Sequence, residues 1–407
     1  MAKLLDRPAD VVRVKTLLRE FPVVGVLGAR QVGKSTLARQ LVATWKGPST
    51  WFDLESAADA ARLADPLLAL RELRGLVVID EVHHAPNLFN TVRVLADDTA
   101  VKRRFLLLGS ASPELLRQGA ESLAGRIAYH ELTGLRLQDV GVARLGRRWL
   151  RGGFPRAFLA RTDAASAEWR EAFIRTFLER DIPQFGLRVP APALRRFWSM
   201  IAHYHAQTWN ASELARAFGV AHTTVQRYLD VLTETFMVRQ LPPWHENLAK
   251  RQVRAPKVYL RDAGVLHSLL GVTSIAQLDS HPKVGASWEG FALDVVLDQL
   301  QARPGEAYFW GTQAGAELDL LVVRGETRVG VEFKRTSSPK LTPSMRSALA
   351  DLRLDRLYVV HGGTEVFPLA DRVEAVPLTR VLEVLPPVGE SGRARRATRR
   401  RHSDHDA

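Results

Sequence analysis

Residues 28–35 read Gly28-Ala29-Arg30-Gln31-Val32-Gly33-Lys34-Ser35, which fits the phosphate-binding pattern G-x-x-x-x-G-K-[ST]. A strand-like apolar run, 23–27, precedes the pattern, and a helix-like run that begins at Thr36 follows it. In this order the glycines let the backbone wrap a triphosphate, and exposed amides at the start of the helix attract its negative charge. Lys34 is expected to reach the β- and γ-phosphates and Ser35 to ligate Mg²⁺. Residues 28–36 are therefore predicted to bind a nucleotide.

Two further apolar runs end in polar side chains. The stretch Leu76-Val77-Val78-Ile79-Asp80-Glu81 has the Walker B arrangement, in which Asp80 would hold Mg²⁺ through water and Glu81 would act as general base toward the attacking water. The run 104–108 ends at Gly109-Ser110, where Ser110 would sense the γ-phosphate or simply occupy a turn. Ligands bind at the carboxyl ends of parallel strands, so Gly28, Asp80 and Ser110 are expected in one site.

The order of elements predicts an α/β fold. Strand-like runs at 23–28, 50–54, 76–80, 104–109 and 127–132 alternate with helical stretches, which is typical of a parallel sheet with helices on both faces. At 407 residues the chain is long enough for two or three domains. We place a P-loop domain at 1–140, a helical segment with a winged-helix-like unit at 141–280, a second α/β domain at 281–388 and a basic tail, expected to be disordered, at 389–407.

Composition limits the partners and the compartment. The net charge of +13 makes polyanions, DNA first, the natural partners, with positive charge spread over solvated faces as the alternative. The absence of cysteine excludes disulfides and cysteine-bound metals, and it fits a reducing cytoplasm. No stretch approaches about eighteen consecutive apolar residues, so no membrane-spanning helix is expected. We therefore expect a cytoplasmic protein with no membrane partner.

Four stretches resemble one group of ATPases: 28–37, 79–82, 109–112 and 122–126. They resemble the bacterial and archaeal AAA-type ATPases of the ASCE division, and more narrowly those with a C-terminal domain of unknown function related to PD-(D/E)XK nucleases. The stretches 177–182 and 255–259 are further marks of that group. The resemblance implies that the chain binds ATP and Mg²⁺ and hydrolyses ATP.

The same resemblance gives Arg126 a role. It implies a charge-stabilising arginine near the γ-phosphate, acting either in its own subunit or in a neighbouring subunit of a homo-oligomer. A structural ion pair is the alternative.

The middle segment contains a helix-turn-helix pattern. A helix is predicted at 211–218, a turn at Gly219 and a second helix at 222–234 with an apolar inward face. The candidate DNA contacts are the outward side chains and a basic wing, namely Thr223, Thr224, Gln226, Arg227, Arg251, Arg254 and Lys257. A purely structural packing unit is the alternative. The stretch 144–156 is expected to be an interdomain hinge rather than a nucleic-acid grip through Trp149 and Phe154.

A hairpin in the last domain gathers charged side chains. A two-residue turn at Gly325-Glu326 would place Asp319 opposite Glu332 and Glu317 opposite Lys334. Because side chains alternate along a strand, these four charges are expected on one face. The other face is expected to be apolar and packed, and it comprises Leu318, Leu320, Val322, Val329, Val331 and Phe333.

Two opposed carboxylates repel each other unless a cation lies between them, so Asp319 and Glu332 are predicted to hold Mg²⁺. Lys334 would stabilise a developing phosphorane charge or steer the attacking water. The pattern resembles the PD-(D/E)XK core, and Glu289 resembles its helix-borne acid. A helix at 285–300, strand 306–311, hairpin 316–334, helix 342–352 and strand 356–361 give the αβββαβ order of a restriction-endonuclease-like domain. A cross-strand salt-bridge network is the alternative.

These features leave three functions. The first is ATP hydrolysis at Lys34, Asp80 and Glu81 that controls a DNA-facing, nuclease-like domain. The second is an ATP-dependent switch that binds DNA or a protein partner without cleaving nucleic acid. The third is a DNA-binding regulator with a vestigial nucleotide site, and the intact P-loop and Walker B residues argue against it.

Overall fold

The computed structural model describes residues 5–85, 87–110, 122–184, 189–246 and 252–388. Its first part is a five-stranded sheet in the order β2-β3-β4-β1-β5, with each neighbouring pair of strands parallel. The strands are β1 Val23–Gly28, β2 Ser49–Asp53, β3 Gly75–Asp80, β4 Arg103–Ser110 and β5 Ile127–Glu131. The helices are α1 Pro8–Glu20, α2 Lys34–Ala43, α3 Ala57–Arg62, α4 Pro66–Leu70 and α5 Leu88–Asp97. The predicted α/β fold with a parallel sheet is confirmed.

Apolar side chains cover both faces of this sheet. One apolar cluster joins β1 to α1 and α2, and a second joins β3 and β4 to α4 and α5. β1 is buried along its whole length, as expected for a parallel strand between two helical layers. The carboxyl ends of the strands therefore meet at one edge, where Gly28 is the register partner of Ser110.

The middle segment is mainly helical. Its helices are α6 Leu137–Val140, α7 Leu145–Arg151, α8 Pro155–Phe158, α9 Asp163–Thr176, α10 Ile182–Gln184, α11 Ala191–His203, α12 Ala211–Phe218, α13 His222–Glu234, α14 Ala263–Leu269 and α15 Ile275–Ser280. A π-helix, Phe177–Asp181, joins α9 to α10. Strands β6 Gln207–Thr208, β7 Val238–Leu241 and β8 Lys257–Leu260 form an antiparallel sheet with β8 at its centre.

The predicted helix-turn-helix elements are present. Gly219 ends α12 with φ +68°, a left-handed conformation that favours glycine. The inward side chains Val225, Leu229 and Leu232 of α13 are buried, as predicted.

The last part is a six-stranded mixed sheet in the order β13-β14-β12-β11-β10-β9. Its elements are α16 Val284–Leu300, β9 Ala307–Gly311, β10 Glu317–Arg324, β11 Thr327–Lys334, α17 Pro343–Asp351, β12 Arg356–His361, β13 Phe367–Ala370, β14 Val373–Pro377 and α18 Val381–Val384. The predicted αβββαβ order is present, and β13, β14 and α18 extend it. The hairpin register is also as predicted, since Arg324 pairs with Thr327 and Leu320 with Val331.

The middle and last parts are joined through their backbones. Residues 242–246 and 252–253 lie beside β9, where Trp244 N–H donates to Phe309 O at 2.7 Å and Val253 N–H to Gly311 O at 2.9 Å. These bonds attach the connection between β7 and β8 to the edge of the six-stranded sheet.

The stretch predicted to be a hinge, 144–156, consists mainly of α7, followed by a packed turn at 152–154. Gly152 has φ +78°, and a Cβ there would lie 2.0 Å from Asp262 Oδ1, so a larger residue would clash. Gly153 N–H donates to Asp262 Oδ2 at 2.6 Å. Trp149 and Phe154 are buried, and they are therefore not exposed rings for a nucleic-acid grip.

Some predicted residues lie outside the described part of the chain. They are Ala111, Ser112, Arg251, the tail 389–407 and the side chain of Ser110. Among the described residues, no helix combines the length and the apolar character that crossing a membrane requires.

Candidate active site

The loop between β1 and α2 forms a cradle of backbone amides. Gln31 (φ 60°) and Gly33 (φ 105°) both have left-handed conformations, which turn successive N–H groups toward one side. α2 begins at Lys34, so the positive end of its dipole points into the cradle. A Cβ on Gly28 would lie 2.3 Å from Leu132 O, which explains the glycine at the end of β1. The predicted phosphate cradle is thus formed by the backbone itself.

Lys34 is held inside this cradle. Its Nζ donates to Gly28 O at 3.2 Å and to Ala29 O at 3.1 Å, and the residue is 6% exposed. Burial lowers the pKa of Lys34, although Glu81 and Asp80 nearby favour its charged form. An ammonium whose partners are neutral carbonyls is well placed to exchange them for phosphate oxygens.

Asp80 lies at the end of β3, next to the start of α2. It is 5% exposed, and burial raises its pKa while a hydrogen bond from Ser35 opposes the rise. A carboxylate and a hydroxyl side by side are oxygen donors of the kind that Mg²⁺ uses when it bridges a protein to nucleotide phosphates. Ser35 and Asp80 therefore fit the predicted magnesium ion.

Glu81 has a strained backbone, with φ +53° at a residue that is not glycine. The strain turns the chain sharply between β3 and the 3₁₀ turn Val82–His84. Glu81 Oε2 lies 3.1 Å from His83 Nδ1. Burial opposes ionisation of Glu81, but His83 and Lys34 lower its pKa below the usual value. The carboxylate is consequently charged at neutral pH, as a general base requires.

A cleft of about 670 Å³ opens over the cradle. This volume lies within the range of about 300–1,000 Å³ that is typical of ligand pockets. One side is polar and contains Lys34, Ser35 and Glu81. The other side is largely apolar and is formed by Leu5, Leu135, Pro155, Leu159 and Ala160, with Arg156 beside them. No sequence motif indicates this wall, because its members come from three separate parts of the chain, namely 5, 135 and 155–160.

Arg30 connects the phosphate loop to the middle segment. Its Nη1 donates to Asp181 Oδ1, and the two form an ion pair. Asp181 ends the π-helix and is 4% exposed. Burial raises the pKa of Asp181, and the Arg30 charge opposes that rise. The stretch 177–182 is one of those that resemble the ATPase group named above. Within it, Asp181 contacts the phosphate loop through Arg30.

Arg126 lies at the wrong edge of the sheet for its own nucleotide site. Its carbonyl accepts a hydrogen bond from Val23 N–H at the amino end of β1, whereas the phosphate loop follows the carboxyl end. At about 3.3 Å per residue, β1 separates the two by about 17 Å. Arg126 Nε and Nη2 donate to Asp97 at 2.6 and 2.8 Å. The role within its own subunit is therefore wrong, the alternative ion pair is present, and a role in a neighbouring subunit stays a prediction.

A second charged site lies in the last domain. Glu289 on α16, Glu317 and Asp319 on β10 and Glu332 on β11 converge there, and we call these four residues the C-terminal acidic cluster. Lys334 Nζ is 2.7 Å from Glu332 Oε1. Burial, together with the neighbouring Asp319, raises the pKa of Glu332 to about 8 and that of Glu289 to about 7.

Lys257, from β8 of the middle segment, enters this cluster. Its Nζ lies 3.4 Å from Asp319 Oδ1 and 3.6 Å from Glu289 Oε1, and it also contacts Glu317 Oε1. Lys257 is 3% exposed, so its placement in an exposed basic wing is wrong. The sequence did hold a signal: Lys257 is followed directly by the strand-like run 258–260, which the structure buries, and a buried lysine needs an anionic partner.

The predicted two-face pattern of the hairpin holds only in part. Leu320, Val322, Val329, Val331 and Phe333 pack with α16, whereas Leu318 packs on the other side with Leu321 and α17. An irregularity between Leu318 and Leu321 in the pairing with β9 accounts for this reversal. The expected Glu317–Lys334 pair is absent, because Glu317 contacts Lys257 instead. Asp319 accepts a hydrogen bond from Phe333 N–H at 3.0 Å, where the hairpin ladder ends.

The residues present do not fit the magnesium ion predicted for Asp319 and Glu332. The ammonium of Lys257 already lies beside Asp319. Among the residues that the structure describes, no group of three or more histidine, aspartate or glutamate side chains could hold a metal ion. The sequence predicts a cation beside Asp319, and in the structure this cation is the ammonium of Lys257.

Three family models match consecutive parts of the chain. Residues 20–140 match an AAA domain, 142–276 match a domain of unknown function (DUF8612) and 284–381 match a domain of unknown function (DUF4143). The chain is 50% identical to the uncharacterized proteins Rv2008c of Mycobacterium tuberculosis and Mb2031c of Mycobacterium bovis, over 93% of this chain and 85% of theirs. The chain belongs to their family.

Solved structures with some similarity are more distant. The Walker-type ATPase PABY2304 of Pyrococcus abyssi is 16% identical, with a TM-score of 0.49, over 66% of this chain and 96% of that one. The RuvB Holliday junction branch migration motor of Thermotoga maritima is 14% identical, with a TM-score of 0.31, over 58% of this chain and 90% of that one.

Residues 20–140 thus match an AAA domain, as the resemblance implied, and this match supports the predicted P-loop ATPase. The C-terminal part belongs to a family without an assigned function, and its relation to nucleases stays a prediction. The predicted boundaries near 140 and 280 also stay predictions.

Proposed function

We propose that the chain is an ATP-hydrolysing switch whose AAA domain controls the middle segment and the C-terminal domain, and that the C-terminal domain binds DNA or a protein partner without cleaving nucleic acid. The observation that carries this proposal is the ion pair between Arg30 in the phosphate loop and Asp181 in the middle segment. It places a side chain of the nucleotide site in direct contact with the element that must respond.

The geometry of the cleft supports the proposed hydrolysis. The triphosphate would lie on the amide cradle, with Lys34 transferred from its carbonyl partners to the β- and γ-phosphates. Glu81 would orient a water molecule for in-line attack and accept its proton as the new phosphorus–oxygen bond forms and the bond to the β-phosphate breaks. When bound between Ser35, Asp80 and the phosphates, Mg²⁺ would neutralise part of the developing charge.

Coupling would follow from competition for Arg30. An arginine in a phosphate loop has two anionic partners within reach: the carboxylate of Asp181 and the incoming phosphate. If Arg30 turns toward phosphate, Asp181 is left buried without its cation, which is costly. The π-helix would then have to move, and α10 and α11 follow it in the chain.

DNA binding by α13 has limited support. Thr223 and Arg227 are exposed, but Gln226 accepts a hydrogen bond from Trp209 Nε1 at 3.2 Å and donates to Asp230 at 2.8 Å. Gln226 is therefore engaged within the fold. The net charge of +13 favours a polyanion among the partners of the whole chain.

Nucleic-acid cleavage is the second candidate, because Glu289, Asp319, Glu332 and Lys334 do converge at one place. A Mg²⁺-dependent nicking assay on wild type, Asp319→Ala and Glu332→Ala decides between the two candidates. Cleavage that both variants lose would favour the nuclease function; equal background in all three supports the switch.

Hydrogen exchange tests the switch directly. A non-hydrolysable ATP analogue should change the hydrogen-exchange rate of residues 177–184 in wild type. In Asp181→Asn this nucleotide-induced change should be at most half as large. Glu179→Gln is the matched control, since Glu179 lies exposed on the same π-helix. An equal response in Asp181→Asn and wild type would contradict the coupling. ATPase rates with and without duplex DNA identify whether DNA is the partner.

A further inference from the structure

We infer that Lys257 is the built-in cation of the C-terminal acidic cluster, where it stands in place of a divalent metal ion. The inference assigns a role to a residue of the middle segment that neither the hairpin pattern nor the proposed ATPase chemistry uses. It rests on the proposed function only for the statement that the C-terminal domain does not cleave nucleic acid.

The first argument is charge. Four carboxylates, those of the C-terminal acidic cluster, share the site with two ammonium groups. Lys334 is paired with Glu332, and its side chain is 41% exposed. Lys257, whose side chain is only 4% exposed, is the ammonium that contacts Glu289, Glu317 and Asp319. Removing one partner of a buried ionic group leaves the others uncompensated, so the cluster requires this cation.

The second argument is that Lys257 is fixed in place. Its backbone lies in the centre of the small sheet, paired with Thr208 on one side and Leu241 on the other. Two residues on, and so on the same face of β8, Tyr259 donates to Glu289 Oε1 at 2.8 Å. The Lys257 ammonium also lies 5.6 Å from the centre of the Phe309 ring, a favourable cation–π distance. β8 thus delivers both a cation and a hydroxyl donor to the cluster.

The third argument is an oxygen without a partner. Glu332 is 5% exposed, and its Oε2 has no hydrogen-bond partner within the described residues. Together with Asp319 Oδ1, it supplies the kind of oxygen that a hard divalent cation binds. Acidic oxygens of the kind that bind a metal are therefore present, and Lys257 is the cation that lies beside Asp319 and Glu289.

Mn²⁺ titration tests the inference on full-length, nucleotide-free protein, read out by electron paramagnetic resonance. Wild type should show no Mn²⁺ binding that depends on Asp319. Lys257→Met should gain at least about tenfold in Mn²⁺ affinity, and adding Asp319→Asn to that variant should remove the gain. Lys257→Arg, which keeps a cation, is the matched control and should behave as wild type does.

Two outcomes would overturn the inference. One is Mn²⁺ binding by wild type that Asp319→Asn abolishes, a measurement that needs no folded Lys257 variant. The other is a Lys257→Met protein that melts cooperatively but gains no Mn²⁺ affinity. Neither outcome depends on ATP or DNA, so failure here is distinguishable from failure of the proposed switch.

Discussion

The two charged sites of this chain are built in opposite ways. The nucleotide site takes its loop from eight consecutive residues and completes it with the adjoining end of β3. The C-terminal acidic cluster takes one acid from α16, three from a hairpin and its central cation from β8, some 60 residues earlier in the chain. A site formed by consecutive residues can be recognised from its sequence motif. A site assembled from several domains cannot, because a residue such as Lys257 is far from the others in the sequence.

The largest contrast is expected from the two buried lysines. Lys34→Ala should lower ATP binding and turnover at least about a hundredfold, because the phosphates lose their charge partner. Its melting temperature should stay close to that of wild type, because Lys34 bonds only to loop carbonyls. Calorimetric titration with ATP and a thermal melt measure both effects, with exposed Lys46→Ala as the control. Undiminished ATP binding would remove Lys34 from the site.

Lys257→Ala should lower the stability of the protein but leave its ATP binding intact. It leaves three carboxylates without their cation, so we expect a loss of about 3–5 kcal/mol in the free energy of unfolding. Intrinsic ATP affinity should be retained where the protein is folded. Urea unfolding measures the free energy of unfolding, and titration with a fluorescent ATP analogue measures the ATP affinity. A stability equal to that of wild type would show that the cluster does not need Lys257.

Glu81→Gln sharpens the comparison within the nucleotide site. The amide keeps the shape of the side chain but cannot accept a proton, so turnover should fall about 10²–10⁴-fold while ATP stays bound. Single-turnover hydrolysis and retention of labelled ATP measure the two effects. Full turnover in this variant would contradict the assignment of Glu81 as the base.

The smallest effect concerns pH. The pKa of Glu332 is raised to about 8 in the folded chain from an ordinary value of 4.5, so between these pH values the folded state holds a proton that the unfolded state has released. The contribution of Glu332 to stability is therefore lost as pH rises from about 4.5 through 8. The melting temperatures of wild type and Glu332→Gln should converge at low pH. As the pH rises to 9, the melting temperature of the variant should increase relative to that of wild type. A constant difference across that range would contradict the raised pKa.

The sequence predicted the parallel sheet because β1, β3 and β4 contain continuous apolar runs that end at Gly28, Asp80 and Ser110. It also predicted the hairpin register, since Gly325-Glu326 leaves little freedom in the pairing. It could not predict the reversal of Leu318, because the irregularity depends on pairing with β9 rather than on the hairpin. The sequence placed Lys257 on a wing, and the resemblance placed Arg126 near phosphate. Neither reveals which edge of a sheet or which domain a side chain will reach.

The backbone bonds that Trp244 and Val253 make to β9 have a mechanical consequence. Sliding the small antiparallel sheet past the six-stranded sheet would break these main-chain hydrogen bonds, so we expect the two sheets to move together. A movement that starts at the π-helix would therefore rotate the two sheets together as one rigid unit. The part of this unit farthest from the nucleotide site would travel the greatest distance.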